Sequence, residues 1–222
     1  MDLSIKDNIS SILSSIPEDV HLVAVSKTRT VEEMKEAYVS GLRDFGENKV
    51  QELVNKYDSF DGSVRWHLIG HLQRNKVKYI VGKVFLIHSL DSIRLLNELE
   101  KQYSEAGLTA DVLIEINIGR EENKTGIMVE DLEDMLARCE SCNNVKVKGL
   151  MTVLPVCGEE EQRKYFREIR GIWNRLKESR YNNIEMAYLS MGMTGDYRTA
   201  ISEGSNMIRI GEGIFGKRNY NI

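Results

Sequence analysis

Apolar residues come along this chain in short runs, separated by longer stretches in which they recur with helical period. The runs are HLVAVS (21–26), RDFG (43–46), RWHLIG (65–70), VFLIHS (84–89), DVLIEINI (111–118), VKVKGLM (145–151), MAYLS (186–190) and NMIRI (206–210). Between them the pattern predicts helices over 30–40, 47–58, 73–81, 91–106, 129–141, 159–179 and 194–203, with another at 2–14 in front. Thr30 with Glu33 reads as a capping box, and Asp91 and Ser92 as caps. Strands alternating with helices mean βαβ units and a parallel sheet. Eight such units predict a closed (β/α)8 TIM barrel with an extra N-terminal helix, not an open doubly wound sheet. No G-x-G-x-x-G follows the first run, so a dinucleotide fold has no support. With two prolines and no Gly/Ser-rich stretch, no linker or repeat divides the chain, which predicts one domain over 1–222.

Composition narrows the classes. The 222 residues, 41% hydrophobic and 29% charged, suit one folded α/β barrel. A net charge of −4 gives no general attraction to nucleic acid or anionic lipid, so any phosphate site must be local. No segment approaches the roughly 20 apolar residues of a membrane span. The N-terminus carries Asp2, Lys6 and Asp7 and does not read as a signal peptide. The odd set Cys139, Cys142 and Cys157 argues for a reducing compartment, and the cytoplasm is the expectation. The C-x-x-C of Cys139 and Cys142 ends a helical pattern with no second pair nearby, which predicts ordinary thiols rather than a metal or redox site.

In a (β/α)8 barrel reactive groups collect at the carboxyl ends of the strands. Polar residues crowd those positions here: Ser26-Lys27, Glu47-Asn48, His71, His88-Ser89, Glu115 with Asn117, Thr152, Ser190 with Thr194, and Arg209. Lys27 is the sharpest of them. Strand alternation puts Val23, Val25 and Lys27 on one face, the expected barrel interior. A desolvated lysine amine there is a nucleophile toward carbonyls. The same pattern also fits a lysine snorkelling at the strand's rim beside a carboxylate.

Two glycine-rich stretches, SMGMTGD (190–196) and RIGEGIFG (209–216), each lie between a strand and a helix. Such turns let backbone N–H groups approach an anion, and barrels often hold phosphate after strands seven and eight. Arg209, between Ile208 and Ile210, points inward and needs an acceptor, Glu115 or a ligand atom. His67, His71 and His88 cluster at strand ends three and four without a metal-binding spacing, which predicts hydrogen-bonding roles.

At these residues a resemblance appears. LVAVSKTRTVEEMKEAYVSGLRDFGENKVQE, WHLIGHLQRNKVK, EINIGREENKTG, KGLMTV and LSMGMTGDYRTAISEGSNMIRIGEGIFGKR together resemble the YggS/PROSC family of pyridoxal 5′-phosphate (PLP) homeostasis proteins. The resemblance runs from about Leu22 to Arg218. It implies a fold-type III PLP protein, similar to the N-terminal barrel of alanine racemase. By it, Lys27 carries PLP as a Schiff base and Asn48, in FGEN, lines the pocket. Met151, in KGLMTV, belongs with the cofactor contacts. Ser190, Gly192 and Thr194 match the phosphate-holding stretch, and Arg209 and Gly211 match positions facing the pyridine nitrogen and the phosphate. Glu212 departs from the threonine common there and is expected to point away.

An always-protonated arginine at the ring nitrogen keeps that nitrogen unprotonated, so the ring is a poorer electron sink. The eight strands use up the chain, leaving no second domain to supply an opposite-face acid or base. The expectation is therefore a protein that buffers or delivers PLP, with weak or absent catalysis. It is expected to be monomeric, with apo PLP-dependent enzymes as possible acceptors. The alternative is a PLP-dependent racemase or lyase using His67, Tyr188 or a cysteine as second base. A PLP-free barrel forming aldolase-like imines on Lys27 is the third reading.

Overall fold

The computed structural model describes residues 4–217. Eight parallel strands close into a barrel in sequence order: β1 His21–Val25, β2 Asp44–Glu47, β3 Arg65–Leu68, β4 Leu86–Leu90, β5 Ala110–Glu115, β6 Val145–Met151, β7 Ile184–Ser190 and β8 Met207–Ile210. The helices are α1 Ile5–Ser15, α2 Val31–Val39, α3 Val50–Tyr57, α4 Ile93–Ala106, α5 Leu132–Glu140, α6 Glu159–Glu178, α7 Tyr197–Ser202 and α8 Glu212–Phe215. The barrel shuts where β1 pairs β8, with Val23 opposite Arg209 and Ala24 opposite Ile210. Strands buried on both faces read as nearly continuous apolar runs, which explains why eight short runs were the visible signal. Val23, Leu86, Leu113, Met151 and Met207 fill the barrel, while a larger cluster binds wall to helices.

Caps follow the sequence where side chains supply them. Thr30 and Glu33 form the reciprocal capping box of α2, and the Ser92 hydroxyl caps α4. α1 begins after its cap Ser4, and residues 2–3 of the expected first helix lie outside the described residues.

The structure departs from the pattern in several places. The expected helix at 73–81 is a 3-10 helix, Arg74–Tyr79, with no side-chain cap and only Val77 buried, too small an apolar face to hold a full α-helix. The expected helix at 47–58 starts at Val50, because Glu47 completes β2. The helix expected from 194 starts at Tyr197, since Met193–Asp196 forms a turn in which Asp196 Oδ1 accepts from the Met193 N–H at 2.6 Å. RIGEGIFG contains the short helix α8, whose Ile214 carbonyl accepts from Asn8 of α1 at 3.0 Å. Among the described residues no helix is long and apolar enough to cross a membrane.

Candidate functional site

Lys27 lies two residues beyond the end of β1 and is half-buried in a turn closed by the Arg29 N–H donating to the Ser26 carbonyl at 3.0 Å. Thr28 in that turn has φ +63°, a sparsely populated region for a β-branched residue. Its N–H donates to Glu52 Oε2 at 2.7 Å, which holds the strained turn from α3. Beneath it lies a buried polar cluster. Lys56 Nζ donates to the Ser26 carbonyl at 2.9 Å and to Glu47 Oε1 at 2.8 Å, and Ser26 Oγ donates to the same oxygen at 2.7 Å. Burial pushes the Glu47 carboxyl above its ordinary range, and the bonds from Lys56 and Ser26 offset only part of this. The backbone that presents Lys27 is thus anchored by an ion pair.

Arg209 sits across the closing seam, buried in β8. Nη1 donates to Ser190 Oγ at 2.5 Å and Nη2 to the Thr152 carbonyl at 2.8 Å. These are its acceptors in place of Glu115, whose Oε1 accepts from Thr125 Oγ1 at 2.7 Å. Burial pulls the guanidinium down to about 10, still cationic near neutrality. Ser190 Oγ also lies 3.1 Å from His88 Nδ1. Its hydroxyl is therefore engaged inside the barrel, and Met151 is packed into the interior layer.

The loops after β7 and β8 are drawn together. The Arg209 N–H donates to the Gly192 carbonyl at 3.0 Å, and the Gly213 N–H to Thr194 Oγ1 at 3.3 Å. Gly192 has φ +99°, and a Cβ there would lie 2.7 Å from Ala200 Cβ, so the loop requires glycine. Gly211 approaches Val25 at the end of β1, where a Cβ would stand 3.3 Å from the Val25 carbonyl oxygen. Glu212 is exposed. On the other side of Lys27, a Cβ on Gly70 would fall 2.5 Å from the Asn48 carbonyl oxygen, so Gly70 lets the β2 loop seat Asn48. Asn48 Oδ1 and Glu115 Oε2 are buried with no protein partner among the described residues. Buried polar atoms of this kind call for a hydrogen-bond partner such as a ligand or an ordered water.

The three histidines at strand ends three and four separate into two sets. His67 and His88 are fully buried and bonded to each other at 2.9 Å. His71 is outside, its Nδ1 2.6 Å from Asp91 Oδ2. Tyr188 turns away from Lys27, its ring 5.4 Å from that of His21 at the opposite end of β1. Burial holds the Cys139 thiol up to about 12 and the Cys142 thiol up to about 11, which makes both poor nucleophiles. The sequence reading missed Asp44 and Lys56, and it placed Glu47 and Thr152 at strand ends without a role. Lys56 left a signal: it continues the buried stripe Val50, Leu53, Lys56 on α3.

A closed barrel with an amine, a buried arginine and two glycine loops at one mouth defines a protein of the alanine racemase N-terminal-domain type. The family model described as alanine racemase, N-terminal domain, matches residues 3–219. The chain is 44% identical over 201 residues to the pyridoxal phosphate homeostasis protein of Aquifex aeolicus, covering 90% of this chain and 87% of that one. It is 36% identical over 225 residues to the protein of the same name from Escherichia coli K12, covering 97% and 94%. PipY of Synechococcus elongatus, solved with PLP bound, superposes with TM-score 0.88 at 31% identity, covering 96% of this chain and all of that one. The chain belongs to the YggS/PROSC family of pyridoxal phosphate homeostasis proteins. Alanine racemases from Clostridium difficile, at 14% identity and TM-score 0.83, share the fold.

Proposed function

We propose that this chain binds PLP at the carboxyl-terminal mouth of its barrel and serves to hold and release the cofactor. Lys27 is the amine that takes up the aldehyde carbon as a Schiff base. The observation that carries this reading is the closing seam: β1 against β8 sets Lys27, Arg209 and the two glycine loops around one opening. The donor set suits a phosphorylated pyridine aldehyde, and Asn48 Oδ1, which has no partner among the described residues, leaves a buried polar atom for it to meet. When bound, PLP supplies an electrophilic aldehyde and an electron-withdrawing ring.

The chain's own residues divide the remaining work. Arg209 donates toward the ring nitrogen while Ser190 and the Thr152 carbonyl hold its plane. Because the Ser190 hydroxyl is already engaged by Arg209 and His88, we assign Ser190 to Arg209 rather than to the phosphate. The phosphate falls to the Thr194 hydroxyl and to backbone at Gly192 and Gly211. Asn48 lines the opening and Met151 floors it. Of the candidate second bases, His67 is spent in a buried hydrogen-bonded pair and Tyr188 faces the far end, which favours holding PLP over racemising an amino acid.

Incubation with PLP followed by borohydride should fix one pyridoxyl group on Lys27, read by peptide mass. Lys27→Ala should abolish that label, and a label on any other lysine in the wild-type protein would overturn the assignment. Useful exchange of solvent deuterium into amino-acid Cα would favour the racemase reading. We further propose that residues 1–222 act as one domain, monomeric and cytoplasmic, handing PLP to apo-enzymes. Sedimentation and transfer to an apo-enzyme, timed against free diffusion, test those points.

A further inference from the structure

A line of polar groups runs through the barrel where apolar packing is the rule. At the amino-terminal mouth, Asp44 Oδ1 lies 2.9 Å from His67 Nε2, and the Arg65 Nε–H donates to the same oxygen at 2.7 Å. His67 Nδ1 lies 2.9 Å from His88 Nε2. His88 Nδ1 lies 3.1 Å from Ser190 Oγ, which accepts from Arg209 Nη1. His67, His88 and Ser190 have no exposed surface.

The chemistry of these atoms permits few arrangements. Hydrogen bonds from His67 and Arg65 hold the Asp44 carboxyl below its ordinary range despite burial, so Asp44 is an anion and only accepts. His67 Nε2 must therefore carry a hydrogen. Burial holds the His67 imidazole below its ordinary range, with Asp44 pulling it upward and Arg65 and His21 pushing it further down. His88 is held well below, by burial and by the charges of His67 and Arg209. With both rings neutral, His67 Nδ1 is a lone pair, so His88 Nε2 carries the hydrogen between them. His88 Nδ1 is then a lone pair as well, and the bond to it must come from the Ser190 hydroxyl. Every link donates in one sense, from Ser190 down to Asp44, and Ser190 is left to accept from Arg209.

We propose that Asp44, His67 and His88 are positioning residues for Arg209, a one-way hydrogen-bond relay that fixes the Ser190 hydroxyl and hence the guanidinium facing the cofactor. The inference rests on the PLP reading for its purpose. The relay gives a buried cation, which has no carboxylate directly on it among the described residues, a file of aligned dipoles ending in one. It also denies Ser190 the freedom to turn its proton toward the ring side, so the serine does not compete with the arginine as a donor there.

The first test needs no cofactor. In the full chain labelled with 15N histidine, His67 and His88 should both appear at pH 7 as neutral rings protonated on Nε2. An imidazolium at His67, or an Nδ1–H ring at either position, would overturn the relay. The second test separates positioning from mere packing. His67→Gln preserves the direction, its amide N–H donating to Asp44 and its oxygen accepting from His88, whereas His67→Phe breaks it. Folded His67→Phe should lose about tenfold in PLP affinity, with a shifted visible absorption of the bound cofactor, and His67→Gln should restore both. Equal affinity and spectra in all three proteins would overturn the proposal. If the wild-type chain took up no PLP, the functional reading would fail, while the ring protonation pattern would still decide whether the relay exists.

Discussion

Two buried polar networks support the two principal side chains of the mouth, and they do so by different means. Under Lys27, Lys56 and Glu47 form an ion pair in the wall between barrel and α3, tied to Ser26. Under Arg209, neutral groups stand in file between the cation and Asp44. The first anchors backbone, and a formal charge pair suffices because only a carbonyl and a hydroxyl must be held. The second orients a side chain, and for that the sense of each hydrogen bond matters more than its strength. A buried pair is vulnerable to the loss of one partner, and a relay to the reversal of one link.

The largest effect should come from breaking the pair. Lys56→Met leaves Glu47 buried without its cation and should cost about 3–5 kcal/mol in urea unfolding, with the double variant Glu47→Leu/Lys56→Met recovering most of that loss. A single variant no worse than the double would mean that Lys56 contributes little beyond packing.

Acid should then separate the two networks by sign. Both relay imidazoles are depressed in the fold, so as pH falls below 6.5 the unfolded chain binds protons that the native one refuses, and stability falls. The slope is at most about 1.4 kcal/mol per pH unit for each ring. Glu47 is raised, so its contribution runs the other way: above 4.5 the native state holds its proton more tightly than the unfolded chain, and that term favours folding as pH drops. Urea midpoints between pH 4.5 and 7 should show net acid lability in the wild type, and Glu47→Gln should steepen it. A flat profile would contradict neutral, buried rings.

The smallest effect is expected at the turn itself. Thr28→Gly relieves the positive φ but adds freedom to the unfolded chain, so stability should move by less than about 1 kcal/mol. A loss of more than about 2 kcal/mol would show that the Thr28 side chain holds the turn.

Lys27, Arg209 and the glycine loops were legible in the sequence for a simple reason. In a barrel the strand is an apolar run, and the residues that interrupt it at its carboxyl end stand at the mouth. The supporting networks were not legible, because their links depend on strand register. Asp44 and His67 are 23 positions apart, and His88 and Ser190 are 102 apart. Arg209 was read as needing an acceptor such as Glu115, yet local geometry gave it Ser190 and Thr152. Helix α8 hid among glycines because its burial against α1, not its propensity, makes it helical. The 3-10 helix at Arg74–Tyr79 shows the converse, a periodic stretch with too little to bury.

Closure of the barrel through its first and last strands has a consequence for biosynthesis. Because Val23 of β1 pairs with Arg209 of β8, the buried arginine and the strand that leads into Lys27 meet only after all the strands between them have been synthesised. Until then β1 and β7 are open edges, a template for sticking to other nascent chains, and the mouth of the barrel has one wall missing.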